Sequence, residues 1–111
     1  MKVIELVEKL QLTVFTGNIG MENEITGGYV SDLLSDVMGN ASEGNVWITI
    51  QNHLNVVAIA SLKDLAAIIF VKGVKPSEEV LNKAKEENVP VLGSAEKTFE
   101  LSGKIYQLLA K

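Results

Sequence analysis

Ala67-Ile68-Ile69-Phe70-Val71 is a continuous apolar run between polar segments. A run this short and rich in β-branched residues reads as a strand covered on both faces, because a half-exposed strand alternates apolar with polar side chains. Covering both faces takes helices, and the flanking sequence offers them. Upstream, Val46-Trp47-Ile48-Thr49-Ile50 alternates in period two, with Val46, Ile48 and Ile50 on one face and Trp47, Thr49 and Gln51 on the other. Val56 to Ala60 is β-branched enough for a strand, but its alanines and its place between two strands predict a helix. Downstream, Pro76-Ser77-Glu78-Glu79 is a serine cap with acids in the first turn, and Val80, Leu81 and Ala84 give that helix its apolar face. Asn88 ends it, and Val89-Pro90-Val91-Leu92 reads as a strand. Ser94 is the predicted cap of a last helix, with Phe99, Ser102, Tyr106 and Leu109 on one side and Leu101, Ile105 and Leu108 on another. The order strand, helix, strand, helix, strand, helix requires right-handed crossovers and a largely parallel sheet. The predicted fold is one three-layer α/β/α domain over residues 1–111, with a mostly parallel sheet.

The N-terminal part is less regular. Val3, Ile4, Leu6, Val7 and Leu10 mark a helix, and Leu12 to Thr16 a strand that Gly17-Asn18-Ile19-Gly20 breaks. Ile25-Thr26 is a candidate short strand. Gly27-Gly28 then reads as a tight turn feeding a helix from Asp32 to Met38, with Ser31 as its cap and Gly39-Asn40 as a left-handed close.

Composition narrows the functional classes. The net charge of -4 argues against nucleic acid and anionic membranes as partners. Without cysteine there are no disulfides or thiolate metal sites, and a reducing cytoplasm is the expected location. The acid in Met1-Lys2-Val3-Ile4-Glu5 is unlike a signal peptide, and no apolar run approaches a membrane span.

Two constellations stand out. At Gly27-Gly28, free amides at the following helix N-terminus would form an anion-binding nest. The alternative is a purely structural turn. The second is the polar stretch Gln51-Asn52-His53 after the strand Val46 to Ile50, at the strand edge where open α/β sheets bind ligands. His53 is the only histidine. A capping and solvated role for these residues weighs more than catalysis. Gly27, Gly28, Ser31, Asp32, Gln51, Asn52 and His53 are therefore the candidate ligand-binding residues, expected around one crevice. No catalytic residue, metal site or cofactor is assigned. Neither a dinucleotide fingerprint nor a P-loop is present, since Lys72-Gly73 reverses the order a P-loop needs. Helices apolar on more than one side, and Trp47 opposite the Val46 face, predict a homodimer.

Thr26-Gly27-Gly28-Tyr29-Val30-Ser31-Asp32-Leu33-Leu34-Ser35-Asp36-Val37-Met38, followed by Trp47-Ile48-Thr49-Ile50-Gln51-Asn52-His53-Leu54-Asn55-Val56-Val57-Ala58, resembles the DRTGG domain. Ala67 to Phe70, the helix after Pro76, and Pro90-Val91-Leu92 with Thr98-Phe99-Glu100 fit its second half. Members of that family occur alone, with CBS-domain pairs, or before phosphotransacetylase catalytic domains. Their fold is similar to the N-terminal domain of HPr kinase/phosphorylase, whose separate catalytic domain carries the P-loop. The resemblance implies a non-catalytic regulatory or sensory domain that dimerises and binds a small metabolite, a nucleotide or a protein partner. A serine kinase/phosphorylase activity is the alternative, disfavoured by the missing P-loop; a purely structural oligomerisation module is another. Glu24-Ile25 stands where the family name spells Asp-Arg, so the arginine that would pair with an anion is absent.

Overall fold

The computed structural model describes residues 1–110. Ten elements follow in order: α1 (Val3–Leu10), β1 (Thr13–Val14), β2 (Gly27–Val30), α2 (Leu34–Asn40), β3 (Asn45–Thr49), α3 (Leu54–Leu62), β4 (Ala67–Phe70), α4 (Glu78–Glu87), β5 (Val91–Gly93) and α5 (Thr98–Leu109). The strands form one sheet in the order β1-β5-β4-β3-β2. β2, β3, β4 and β5 run parallel, and β1 pairs antiparallel with β5.

Helices cover both faces, as the unbroken apolar run requires. On one face Trp47, Ile68, Phe70 and Val91 pack against Val37 of α2, Val56, Val57 and Ala60 of α3, and Val80 and Ala84 of α4. On the other, Val46, Ile48, Ala67, Ile69 and Leu92 meet Val3 and Leu6 of α1 and Leu101 and Ile105 of α5. The fold is thus a three-layer α/β/α domain. Trp47 is completely buried, and its indole N–H donates to the Ser31 carbonyl at 2.8 Å. Its place opposite the Val46 face therefore leaves no surface for a second subunit to cover.

The segment Val56 to Ala60 is helical, inside α3. Ser77 caps α4 as predicted, its hydroxyl accepting from the Val80 N–H at 3.2 Å, and Asn88 closes that helix in the left-handed conformation. Four readings are corrected. The strand expected over Leu12 to Thr16 has only Thr13–Val14 in regular pairing. Thr16 stops it: its buried hydroxyl, in place of a main-chain carbonyl, accepts from the Val91 N–H at 3.0 Å. α2 starts later than Asp32, with Leu33 as its cap residue, because the Ser31 hydroxyl accepts from the Leu33 N–H at 3.1 Å and folds a turn before the helix. Gly39-Asn40 is the last helical pair, not a left-handed close; Ala41 follows in extended conformation. Ser94 likewise does not cap α5. Its hydroxyl accepts from the Glu96 N–H at 3.1 Å, and α5 begins after Lys97 without a side-chain cap.

Candidate functional site

The polar residues beyond β3 meet at the C-terminal end of the parallel strands. The Asp32 carboxylate accepts from the Thr49 hydroxyl at 2.7 Å and from the Ile50 N–H at 2.9 Å. Gln51 returns the contact, its side-chain amide donating to the Asp32 carbonyl at 3.0 Å, while its own N–H donates to the Thr49 hydroxyl at 3.0 Å. Ser31, Asp32, Thr49 and Gln51 thus lock the end of β2 to the end of β3. Thr49 is the buried centre of this knot. Its polarity on an inward strand position is the sequence signal for that role.

Asn52 works one loop away. Its side chain donates to the Lys75 carbonyl at 3.0 Å and accepts from the Ser77 N–H at 3.0 Å, bracing the β4–α4 loop. His53 is the N-cap of α3, and its Nδ1 accepts from the Asn55 N–H at 3.0 Å. An imidazole in that role must keep Nδ1 unprotonated, leaving Nε2 as its open position. The sequence reading puts the helix cap at Asn52 and His53 in the solvated first turn; in the structure His53 is the cap, and Asn52 holds the neighbouring loop instead.

Gly27 and Gly28 are elsewhere, and this is the main correction to the predicted site. They are not a turn. They open β2, pair in register with Asn45 and Val46, and have no positive φ. Gly28 therefore lies at the opposite end of the strands, about 13 Å along the sheet from Ile50 at 3.3 Å per residue. The crevice expected to unite the glycines with Gln51 and His53 does not form. The preceding Thr26 shows what the glycines accompany. Its hydroxyl donates to the Glu43 carbonyl at 2.7 Å and accepts from the Asn45 side-chain amide at 3.3 Å. Its N–H donates to the Gly44 carbonyl at 2.9 Å. A Cβ at Gly27 would stand 3.3 Å from the Asn45 amide nitrogen. Thr26-Gly27 is a clasp on the turn that enters β3.

Two cavities flank this clasp. One, of about 590 Å³, opens at the N-terminal strand ends and includes Glu24, Glu43, Asp64 and Glu87 in its lining. Four carboxylates there oppose a phosphate. The other, of about 360 Å³, lies between β2 and α5 over Gly28. Among the described residues no three His, Cys, Asp or Glu side chains converge as a metal site would need. No described helix is long and apolar enough to cross a membrane.

Tyr29 of β2 donates its phenol hydrogen to the Asp36 carboxylate at 2.8 Å. That bond, with help from Ser31 and Asn40, holds the Asp36 carboxyl below its ordinary range; the same bond, with partial burial, pushes the Tyr29 phenol above its own. The signs follow from linkage. A carboxylate with a lowered folded pKa adds stability present above its unfolded pKa and lost as pH falls through the folded value. A phenol with a raised folded pKa adds stability below its unfolded pKa, lost as pH rises through the folded value. Tyr29→Phe should therefore flatten the fall in melting temperature at both the acid and the alkaline end. Melting curves from pH 2 to 11 that keep the wild-type shape would refute this coupling.

Fold and site together define a small open-sheet α/β module whose strand-end polar groups are committed largely to its own loops. Residues 5–108 match the profile of the DRTGG domain family, and the chain belongs to that family. No curated protein sequence matches it. Among solved structures, one similar to it holds the CBS and DRTGG domains of the regulatory region of Clostridium perfringens pyrophosphatase, in complex with the activator diadenosine tetraphosphate. The two superimpose with a TM-score of 0.70 at 18% identity, over 96% of this chain and 46% of that one. The chain thus spans less than half of that regulatory region, and the likeness is one of fold.

Proposed function

We propose that this chain is a non-catalytic regulatory module that binds a small metabolite or nucleotide and dimerises. The observation that carries the non-catalytic reading is the employment of the strand-end polar groups. Asp32 holds Thr49 and Ile50, Asn52 braces the β4–α4 loop, and the His53 Nδ1 caps α3. Acid, base and nucleophile chemistry needs such groups aimed at a reacting atom, not at the backbone. The solved relative in fold supports the regulatory reading, since its regulatory region is complexed with a nucleotide activator. Phe99 and Tyr106, two turns apart on α5, are 85% and 76% exposed, apolar surface that a symmetric partner would cover.

A thermal-shift screen against nucleotides, dinucleoside polyphosphates and central metabolites tests the binding reading. A ligand at about 100 times its Kd adds about 2.7 kcal/mol to the native state, a shift of several degrees in a domain of this size. A flat response across the screen would refute it. Light scattering should give twice the 12.0 kDa monomer mass at micromolar concentration; a monomer mass across dilutions removes the dimer. Incubation with ATP and a serine-bearing protein such as HPr should give no phosphoryl transfer, and transfer by pure protein would overturn the non-catalytic reading.

A further inference from the structure

β2 is the last strand of the sheet, so its outer edge is unpaired and its main-chain N–H and C=O groups there face outward. α5 packs over this edge strand on the face that carries Val46 and Ile48. A side chain at position 28 would project toward that face, since a Cβ there would stand 3.5 Å from the Val46 Cγ2. Glycine leaves the space empty. The result is the cleft of about 360 Å³, with Gly28, Val30 and Ile48 along the sheet and Ser102, Ile105 and Tyr106 along the helix.

Three properties set it apart. None of its described lining residues carries a charge, whereas four carboxylates line the cavity at the N-terminal strand ends. Its volume falls within the range of small-molecule sites. The Ser102 hydroxyl oxygen is buried and has no hydrogen-bond partner among the described residues. A helical serine ordinarily returns its hydroxyl to the preceding turn or reaches water. A buried hydroxyl with neither is costly, and Ser102 is one of the residues that line the cleft.

We infer that the β2–α5 cleft binds an uncharged, planar aromatic or heteroaromatic group, with its ring over Gly28, against Ile48 and Tyr106, and a ring heteroatom taken by the Ser102 hydroxyl or the free edge of β2. This assignment rests on the reading that the module binds a small molecule, and names where and what chemistry. The group is the whole ligand or the ring part of a larger one. The described lining of the cleft offers a phosphate no cation.

Amide NMR titration of the full chain with adenosine and with indole tests it, alongside Gly28→Val and Ser102→Ala. Gly28 has no positive φ, and a Cβ there makes only ordinary van der Waals contact with Val46, so Gly28→Val is compatible with the fold and projects into the cleft. The expected result is saturable shifts at Gly27, Gly28 and the Ser102–Tyr106 turn for at least one probe. Gly28→Val should weaken that binding about tenfold or more by overpacking. Ser102→Ala should weaken it about threefold to tenfold by loss of one hydrogen bond, while raising the melting temperature of the free protein. Shifts confined to Gln51–His53, or binding unchanged in both variants, would overturn the cleft and leave the ligand-binding reading standing. No saturable shift from either probe would overturn the cleft as a site for this class, whereas the wider reading falls only with a flat thermal-shift screen.

Discussion

Gly44→Ala should lower the unfolding free energy by about 2–4 kcal/mol. Gly44 is the buried turn residue between α2 and β3, with φ +82, a conformation that a β-carbon disfavours. A Cβ there would also lie 2.6 Å from the Thr26 Cγ2 and 2.8 Å from its Oγ1. Thr26 cannot rotate away without losing its bonds to the Glu43 carbonyl and the Asn45 amide. Nor can the turn open freely, since the Gly44 N–H donates to the Asp64 carbonyl at 2.9 Å and its own carbonyl holds the Thr26 N–H. Gly39 is the control. It lies in α2, and a Cβ added there would meet nothing within 4 Å, so Gly39→Ala should stabilise by about 0.5–1 kcal/mol. Urea unfolding at unchanged slope reads both. Equal midpoints for the two variants would show that the Thr26 clasp does not constrain this turn.

That clasp also explains where sequence reading stopped. Ala67 to Phe70 was legible as β4 because burial on both faces leaves a pattern in the residues themselves. α3 was legible through its neighbours: Val56 and Val57 alone favour a strand, but two parallel strands need a crossover between them, and α3 fills it. Gly27-Gly28 gave the opposite result. Adjacent glycines are a turn signal by local propensity, and pairing with Asn45 and Val46, distant in sequence, makes them strand. Once the glycines are in β2, the nest expected at a helix N-terminus has no place to form. The stretch Gln51 to His53 was legible in position, at the end of β3, but not in employment. Polar residues after a strand read alike whether they hold a ligand or the protein's own backbone, and only the partners at 3.0 Å around Asn52 and His53 separate the two. Ser102 was legible as part of a helix face, but an unpartnered hydroxyl is a property of packing.

Asp32→Ala should destabilise the protein by about 2 kcal/mol, against a change within about 0.5 kcal/mol for an ordinary surface substitution. Asp32 is solvent-exposed as a residue, yet its carboxylate is the partner of the buried Thr49 hydroxyl and of the Ile50 N–H. Water can replace it at the exposed Ile50 amide. Thr49 is only 2% exposed, so its hydroxyl would be left with the Gln51 N–H alone, and the cost comes from that orphaned group. Two further variants isolate the cause. Asp32→Asn keeps an acceptor oxygen of the same shape and should recover about half of the loss, the part not owed to charge. Thr49→Val with Asp32→Ala should cost less than the two single changes summed, because the hydroxyl that needs Asp32 is then gone. The same variants bear on function. If Asp32 works as a clamp between β2 and β3, its loss lowers stability and leaves ligand affinity, measured well below the melting temperature, nearly unchanged. If Asp32→Ala instead unfolds like wild type while a ligand found by the thermal-shift screen binds tenfold more weakly, the clamp reading fails and the carboxylate belongs to the binding surface.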